Sequence, residues 1–262
     1  EPGVGKSRLV REFAAMVDAQ SELVALRGGR CLSFGETLAF WPLGEIVKAQ
    51  AGILESDGPR EGAAKLDTSV AAVTGDSSER EWLKARLAPL VGLATGAEAS
   101  ASRGESFMAW RRFLHLVAAQ RPLILVIEDL HWARPALLEF LEELADQPGE
   151  VDLLLVGTAR PELLELRPGW GAGRRNAATI SLSPLSDEQT AKLIAVLLGQ
   201  SILPVEVQSL LLERAGGNPL YAEEFVRLLT DRGLLTGRGH LARTPDLLLP
   251  DTAAEMQRHG PA

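Results

Sequence analysis

Apolar residues in this chain come in two arrangements, short unbroken runs and longer stripes at helical spacing. The strongest run is Leu123–Ile127, five apolar residues in a row, each β-branched or Leu. It predicts a strand buried on both faces. Pro122 precedes it, where a missing N–H does least harm, and Glu128 and Asp129 follow it. Val151–Thr158 predicts a second buried strand, and Leu23–Leu26 and Thr179–Leu182 predict shorter ones. Arg27-Gly28-Gly29-Arg30 reads as a turn after the first of these. Between the runs lie helical stripes. Leu9, Val10, Phe13, Ala14 and Val17 mark a helix from Ser7 to about Gln20, and residues 43–51 and 136–145 predict two more. Glu105 to Gln120 predicts another, with Phe107, Trp110, Phe113, Leu114 and Val117 inward.

Strands interleaved with helices predict an α/β fold built on a parallel sheet. The polar, Ala-rich stretch from Glu55 to Arg103 is longer than a simple crossover requires, so it reads as part of an inserted helical bundle spanning about residues 44–103. Composition changes near Ser183-Pro184, after which helices dominate: 186–198, 204–214 and 219–232. Ser186 followed three residues on by Gln189 is a cap signal, and Gly216-Gly217-Asn218-Pro219 separates the last two helices. Gly233 is expected to end the third. The expected organisation is an α/β domain over residues 1–183, a smaller all-helical lid-type domain over 184–250 and an irregular tail over 251–262.

A chain of 262 residues with 46% hydrophobic and 24% charged residues has the balance of a globular protein with a full core. Its net charge of −8 argues against direct nucleic-acid binding by this segment. The single cysteine, Cys31, rules out an internal disulfide and a cysteine metal cage, and it fits a reducing, cytoplasmic setting. No apolar run approaches the roughly 18 residues that a membrane helix needs.

Chemistry concentrates at two places. Residues 1–7, Glu-Pro-Gly-Val-Gly-Lys-Ser, match the last seven positions of the phosphate loop G-x-x-x-x-G-K-[ST]. The loop's first glycine and the strand expected before it are absent. The chain therefore reads as a fragment of a longer protein, with weakened nucleotide affinity expected for the fragment. Candidate phosphate-binding residues are Gly3, Val4, Gly5, Lys6, Ser7 and Arg8. Lys6 would neutralise the β/γ-phosphates, Ser7 would ligate Mg²⁺, and loop amides would donate to phosphate oxygens. A glycine turn that merely caps a helix is the blander reading. The second place is the Glu128-Asp129 pair, at the end of a strand where parallel sheets put their ligands. The first acid would reach the Mg²⁺ shell and the second would polarise the attacking water. Sequence alone leaves open which of them is the base, and a pair of solvated cap residues is the plainer alternative. Arg160, ending the next strand, would sense the γ-phosphate or form an ordinary surface ion pair; Thr158 would hold water or close the strand. Trp132 and the other tryptophans read as packing residues, and Cys31 as a small buried apolar residue.

These motifs occur in a telling order: phosphate loop, Glu128-Asp129-Leu-His131-Trp132-Ala133, Gly157-Thr158-Ala159-Arg160-Pro161-Glu162, and Gly216-Gly217-Asn218-Pro219-Leu220. Together they resemble the AAA-type ATPase module of STAND signal-transduction NTPases. More narrowly, they resemble the module that bacterial regulators join to an adenylyl/guanylyl cyclase or a LuxR-type helix-turn-helix, with repeat domains. The stretch from Arg30-Cys31 through Gly35-Glu36 to Phe40-Trp41-Pro42-Leu43 is similar to that subgroup as well. The resemblance implies a P-loop NTPase three-layer sandwich with a helical insertion, followed by the helical domain. It also implies an ATP/ADP- and Mg²⁺-dependent switch and nucleotide-dependent self-association, with output and repeat domains outside this chain. By it, Glu128 and Asp129 form the hydrolytic pair, Arg160 is the sensor, and Pro219 sits near the adenine. Arg134 departs from the pattern, which commonly has Asp there. A nucleotide-holding scaffold with negligible turnover and a non-binding remnant are the competing functional readings.

Overall fold

This computed structural model describes residues 2–33, 39–93, 102–147, 149–171, 173–174, 176–199 and 205–231. The expectations for Gly35-Glu36, Gly233 and the 251–262 tail lie outside them. The described chain divides into two compact units, Val10–Thr179 and the combination of Glu1–Leu9 with Ile180–Ala262.

In the larger unit, the apolar run becomes the middle strand of a parallel sheet. Strand β1 (Ala25–Arg30), β2 (Leu123–Glu128) and β3 (Leu153–Gly157) lie in the order β1-β2-β3. Leu123 to Ile127 are all buried, as a strand covered on both faces requires. The registers place Arg30 beside Glu128 and Gly157 beside Ile127, so the C-terminal ends of all three strands lie level. β3 is shorter than predicted and not buried through its length: Leu154 is 48% exposed. Among the described residues it has a strand neighbour on one side only.

Two expectations about strands need correction. Residues 27–30 are not a turn; they continue β1 and pair with β2 as far as Glu128. Glycine and arginine have little preference for strands, and a packing demand overrides it. A Cβ on Gly29 would run into the backbone of Pro42 at the start of the next helix. Residues 179–182 form no strand, and Ile180 is largely exposed. A β-branched pattern alone does not make a strand where no neighbour shares its hydrogen bonds.

Helix α1 (Lys6–Asp18) forms where the stripe predicts, but none of its residues is fully buried. Helices α2 (Trp41–Ala51), α3 (Pro59–Val73), α4 (Ser77–Leu87) and α5 (Arg103–Ala118) supply the expected helical stretch between β1 and β2. Asp76 and Ser102 cap α4 and α5 by accepting from the N–H groups of Glu79 and Glu105. All five predicted inward residues of α5 are buried. Phe107 and Trp110 meet Phe40 and Phe140 in an aromatic cluster with ring centroids 4.8–5.8 Å apart. The Trp110 indole N–H donates to the Arg86 carbonyl at 2.8 Å, which satisfies the polar end of a buried ring. Helix α6 (Pro135–Asp146) packs Leu137, Leu138, Phe140, Leu141 and Leu144 into the same core, and α7 (Glu162–Leu166) follows β3.

The smaller unit has its own core. Helices α8 (Asp187–Leu197), α9 (Val205–Ala215) and α10 (Pro219–Asp231) enclose Ile194, Val207, Leu211, Phe225 and Leu229. The cap signal at Ser186 is realised as a reciprocal capping box with Gln189.

Candidate functional site

The acidic pair sits at the C-terminal end of β2. Glu128 is the strand's last residue, and the backbone then turns sharply: Asp129 has φ 59° and ψ 43°, in the left-handed region. Asp tolerates this conformation better than most residues, but something must hold it there. That holder is Thr158, just past the end of β3. Its buried hydroxyl accepts the Asp129 N–H at 3.1 Å, and its carbonyl accepts the Leu130 N–H at 2.8 Å. Its own N–H donates to the Ile127 carbonyl at 3.0 Å. The hydroxyl therefore closes the strand and fixes the second acid. Gly157 makes room for the turn, because a Cβ there would strike the Leu130 side chain.

Sequence reasoning missed a third member of this group. Arg30 reaches from the end of β1 across to both acids, with Nη2 3.1 Å from Glu128 Oε2 and Nε 3.6 Å from Asp129 Oδ2. Its backbone N–H donates to Glu45. The hydrogen bond to Glu128, foremost, and the surrounding negative charges raise the guanidinium's already high pKa. The signal was present in the sequence: a strand continued through Gly28 and Gly29 puts Arg30 level with the acids.

Arg160 does not end β3 but lies three residues beyond its last residue, Gly157; β3 itself pairs with β2, the strand that carries the acids. Its guanidinium lies over the Trp132 ring, 5.5 Å from the centroid, so Trp132, which is exposed and not packed into the core as expected, is a platform for a cation. His131 rests against the same tryptophan, ring centroids 4.6 Å apart. Cys31 is buried as expected. Burial first, then the charges of Asp129 and Glu45, pushes its thiol up to about 12, which removes it as a nucleophile.

The phosphate-loop residues belong to the smaller unit. Gly3 and Gly5 have φ of 82° and 105°, so the loop curls through conformations open to glycine, and α1 begins at Lys6. The Leu9 N–H donates to the Gly5 carbonyl at 2.9 Å, the first helical bond after the loop. Gly3, Val4, Gly5 and Lys6 are half-buried, while Ser7 and Arg8 are exposed. The loop is held by the Gly-Asn-Pro corner ahead of α10. The Asn218 side-chain amide donates to the Pro2 carbonyl at 2.9 Å, and Pro219 opens the helix. The candidate residues thus gather in two groups: Glu128, Asp129 and Arg160 in the larger unit, Gly3 to Arg8 and Pro219 in the smaller.

Among the described residues, no cluster of three or more His, Cys, Asp and Glu side chains could hold a metal by itself. The acids still fit Mg²⁺, which characteristically takes one or two carboxylates and completes its shell with water and phosphate. Their oxygens already hold a cationic partner in Arg30, so they favour positive charge.

The AAA ATPase domain family matches residues 1–156, more than half of the chain. The chain belongs to that family. It is therefore a P-loop NTPase module of the AAA type. Residues 186–237 match a domain of unknown function (DUF8739). An uncharacterized protein of Rhizobium meliloti (strain 1021) is 28% identical over 236 residues, covering 86% of this chain. The chain spans only 22% of that relative's length. Among solved structures, a mutant of Thermotoga maritima RuvB is similar at 15% identity over 90% of this chain and 64% of that one. Its TM-score is 0.36. No described helix is long and apolar enough to cross a membrane.

Proposed function

We propose that this AAA ATPase domain is an ATP/ADP-dependent, Mg²⁺-requiring switch module of a larger bacterial signalling or transcription-regulatory protein. Gly3, Val4, Gly5, Lys6, Ser7 and Arg8 hold the phosphates. Glu128 and Asp129 are the hydrolytic pair, Arg160 senses the γ-phosphate, and Pro219 contacts the base. The observation that carries the reading is the acidic pair at the level C-terminal ends of parallel strands, in a chain whose family match spans both the loop and the pair. Bound Mg²⁺ would neutralise phosphate charge, with Ser7 and Glu128 as its protein ligands. The chain's own contribution is to fix the Asp129 backbone through Thr158 at the end of β2, where its carboxylate would accept a proton from water.

The Arg30 contacts favour a second reading, a nucleotide-holding module with negligible turnover. A guanidinium engaging both carboxylates competes for the lone pairs that a base needs. Phosphate release from Mg²⁺-ATP, measured for wild type, Glu128→Gln and Asp129→Asn, separates the two. A switch that hydrolyses ATP shows turnover that one substitution lowers roughly a hundredfold or more while ADP binding persists. Equal ADP retention with no phosphate release from any of the three supports the holding module. Absence of binding to ATP and ADP by wild type overturns both.

A further inference from the structure

We infer that Asn218 is a positioning residue for the phosphate loop, tying the loop's backbone to the helical unit through one side-chain amide. The inference rests on the nucleotide-binding reading above but concerns a residue that reading does not use. Asn218 is only 7% exposed, and both ends of its amide are engaged. Nδ2 donates to the Pro2 carbonyl at 2.9 Å, across 216 residues of sequence, and Oδ1 accepts the Leu220 N–H at 3.1 Å in the first turn of α10. An Asn that only caps a helix uses its oxygen alone. Here the nitrogen does a second task.

The loop is shaped to receive it. At Gly3, a Cβ would lie 2.5 Å from Asn218 Oδ1 and 2.7 Å from Leu220 Cβ, so the loop backbone approaches the corner as closely as glycine permits. The corner is itself fixed. The Asn218 N–H donates to the Ala215 carbonyl at 2.8 Å, its carbonyl accepts the Ala222 N–H at 3.2 Å, and the Gly217 carbonyl accepts the Leu185 N–H at 2.7 Å. Gly217, at φ 75°, has Pro184 Cβ 2.9 Å from the position a Cβ would take. A rigid donor thus grips a loop that two positive-φ glycines leave pliable. Losing that donor lets the loop sample other shapes, so nucleotide meets it in its receptive form less often.

Asn218→Asp isolates the latch in the full chain, because a carboxylate still caps the Leu220 N–H but cannot donate to Pro2 when ionised. Two readouts apply: amide exchange of Leu9 without nucleotide, and equilibrium affinity for ATP and for ADP. The latch predicts exchange about fivefold faster and both affinities about fivefold weaker, the effect of one ordinary hydrogen bond, with far-UV circular dichroism unchanged. Asn218→Ser, which caps but falls short of Pro2, should reproduce this and decides the matter if the Asp variant fails to fold. Wild-type exchange and affinity in the folded variant overturn the inference. If wild type itself binds neither nucleotide, the functional reading fails, and the latch stands or falls on the exchange rate alone.

Discussion

Two titratable side chains in the larger unit carry separable, measurable roles. Arg30 is 57% exposed on its side chain, so its pairs with Glu128 and Asp129 are worth about 1 kcal/mol or less to folding. Their importance is to the acids: the guanidinium occupies carboxylate oxygens that a divalent cation would use. Arg30→Ala is expected to change stability by less than about 1 kcal/mol. In the same variant, the Mg²⁺ concentration giving half-maximal ATP binding should fall; a rise would assign Arg30 to the nucleotide instead of the acids. His115, on α5, has a buried Nε2 without a hydrogen bond. Burial first, then Arg111 and Arg112, holds its pKa below the ordinary 6.5. The folded state therefore resists the proton that the unfolded chain accepts. Stability from this residue is fully present above pH 6.5 and is lost as pH falls below that value toward the folded-state pKa. Melting temperatures of wild type should drop over that interval more steeply than those of His115→Gln, and parallel curves would refute the assignment.

At the scale of elements, β1 offers a comparison within a single strand. Gly28 has room for a Cβ, whose nearest neighbour would be the Val126 carbonyl oxygen at 3.9 Å, whereas Gly29 faces the Pro42 backbone, which cannot swing aside. Gly28→Ala should be neutral or slightly stabilising in a denaturant titration, and Gly29→Ala should cost about 3 kcal/mol. Similar values for both would mean that α2 does not pack on β1 as described. The same strand shows why some of this protein was legible in its sequence and some was not. β2 could be read because five consecutive apolar side chains require cover on both faces. The Arg-Gly-Gly-Arg end of β1 could not, because its preference comes from a helix start reached only after folding. Residues 179–182 had suitable side chains but, among the described residues, no strand paired with them. The same division runs through the site. The acids and the loop announced themselves by residue type and spacing. Arg30 was hidden by the misread turn, and the Asn218 donor by a separation of 216 residues that no local pattern spans.

On the scale of the whole molecule, the family match covers both the phosphate loop, in the smaller unit, and the sheet, in the larger one. The groups have different tasks in the proposed switch: Lys6 serves the phosphates whether or not a metal is present, and the acids, together with Ser7, supply the response to Mg²⁺. Equilibrium ATP titration with Mg²⁺ and with EDTA, on wild type, Lys6→Ala and the double variant Glu128→Gln/Asp129→Asn, tests that division directly. Wild type should bind more weakly in EDTA, Lys6→Ala should lose binding under both conditions, and the acid variant should show a much smaller difference between the two. Wild-type affinity in Lys6→Ala, or an undiminished Mg²⁺ effect in the acid variant, would contradict the account.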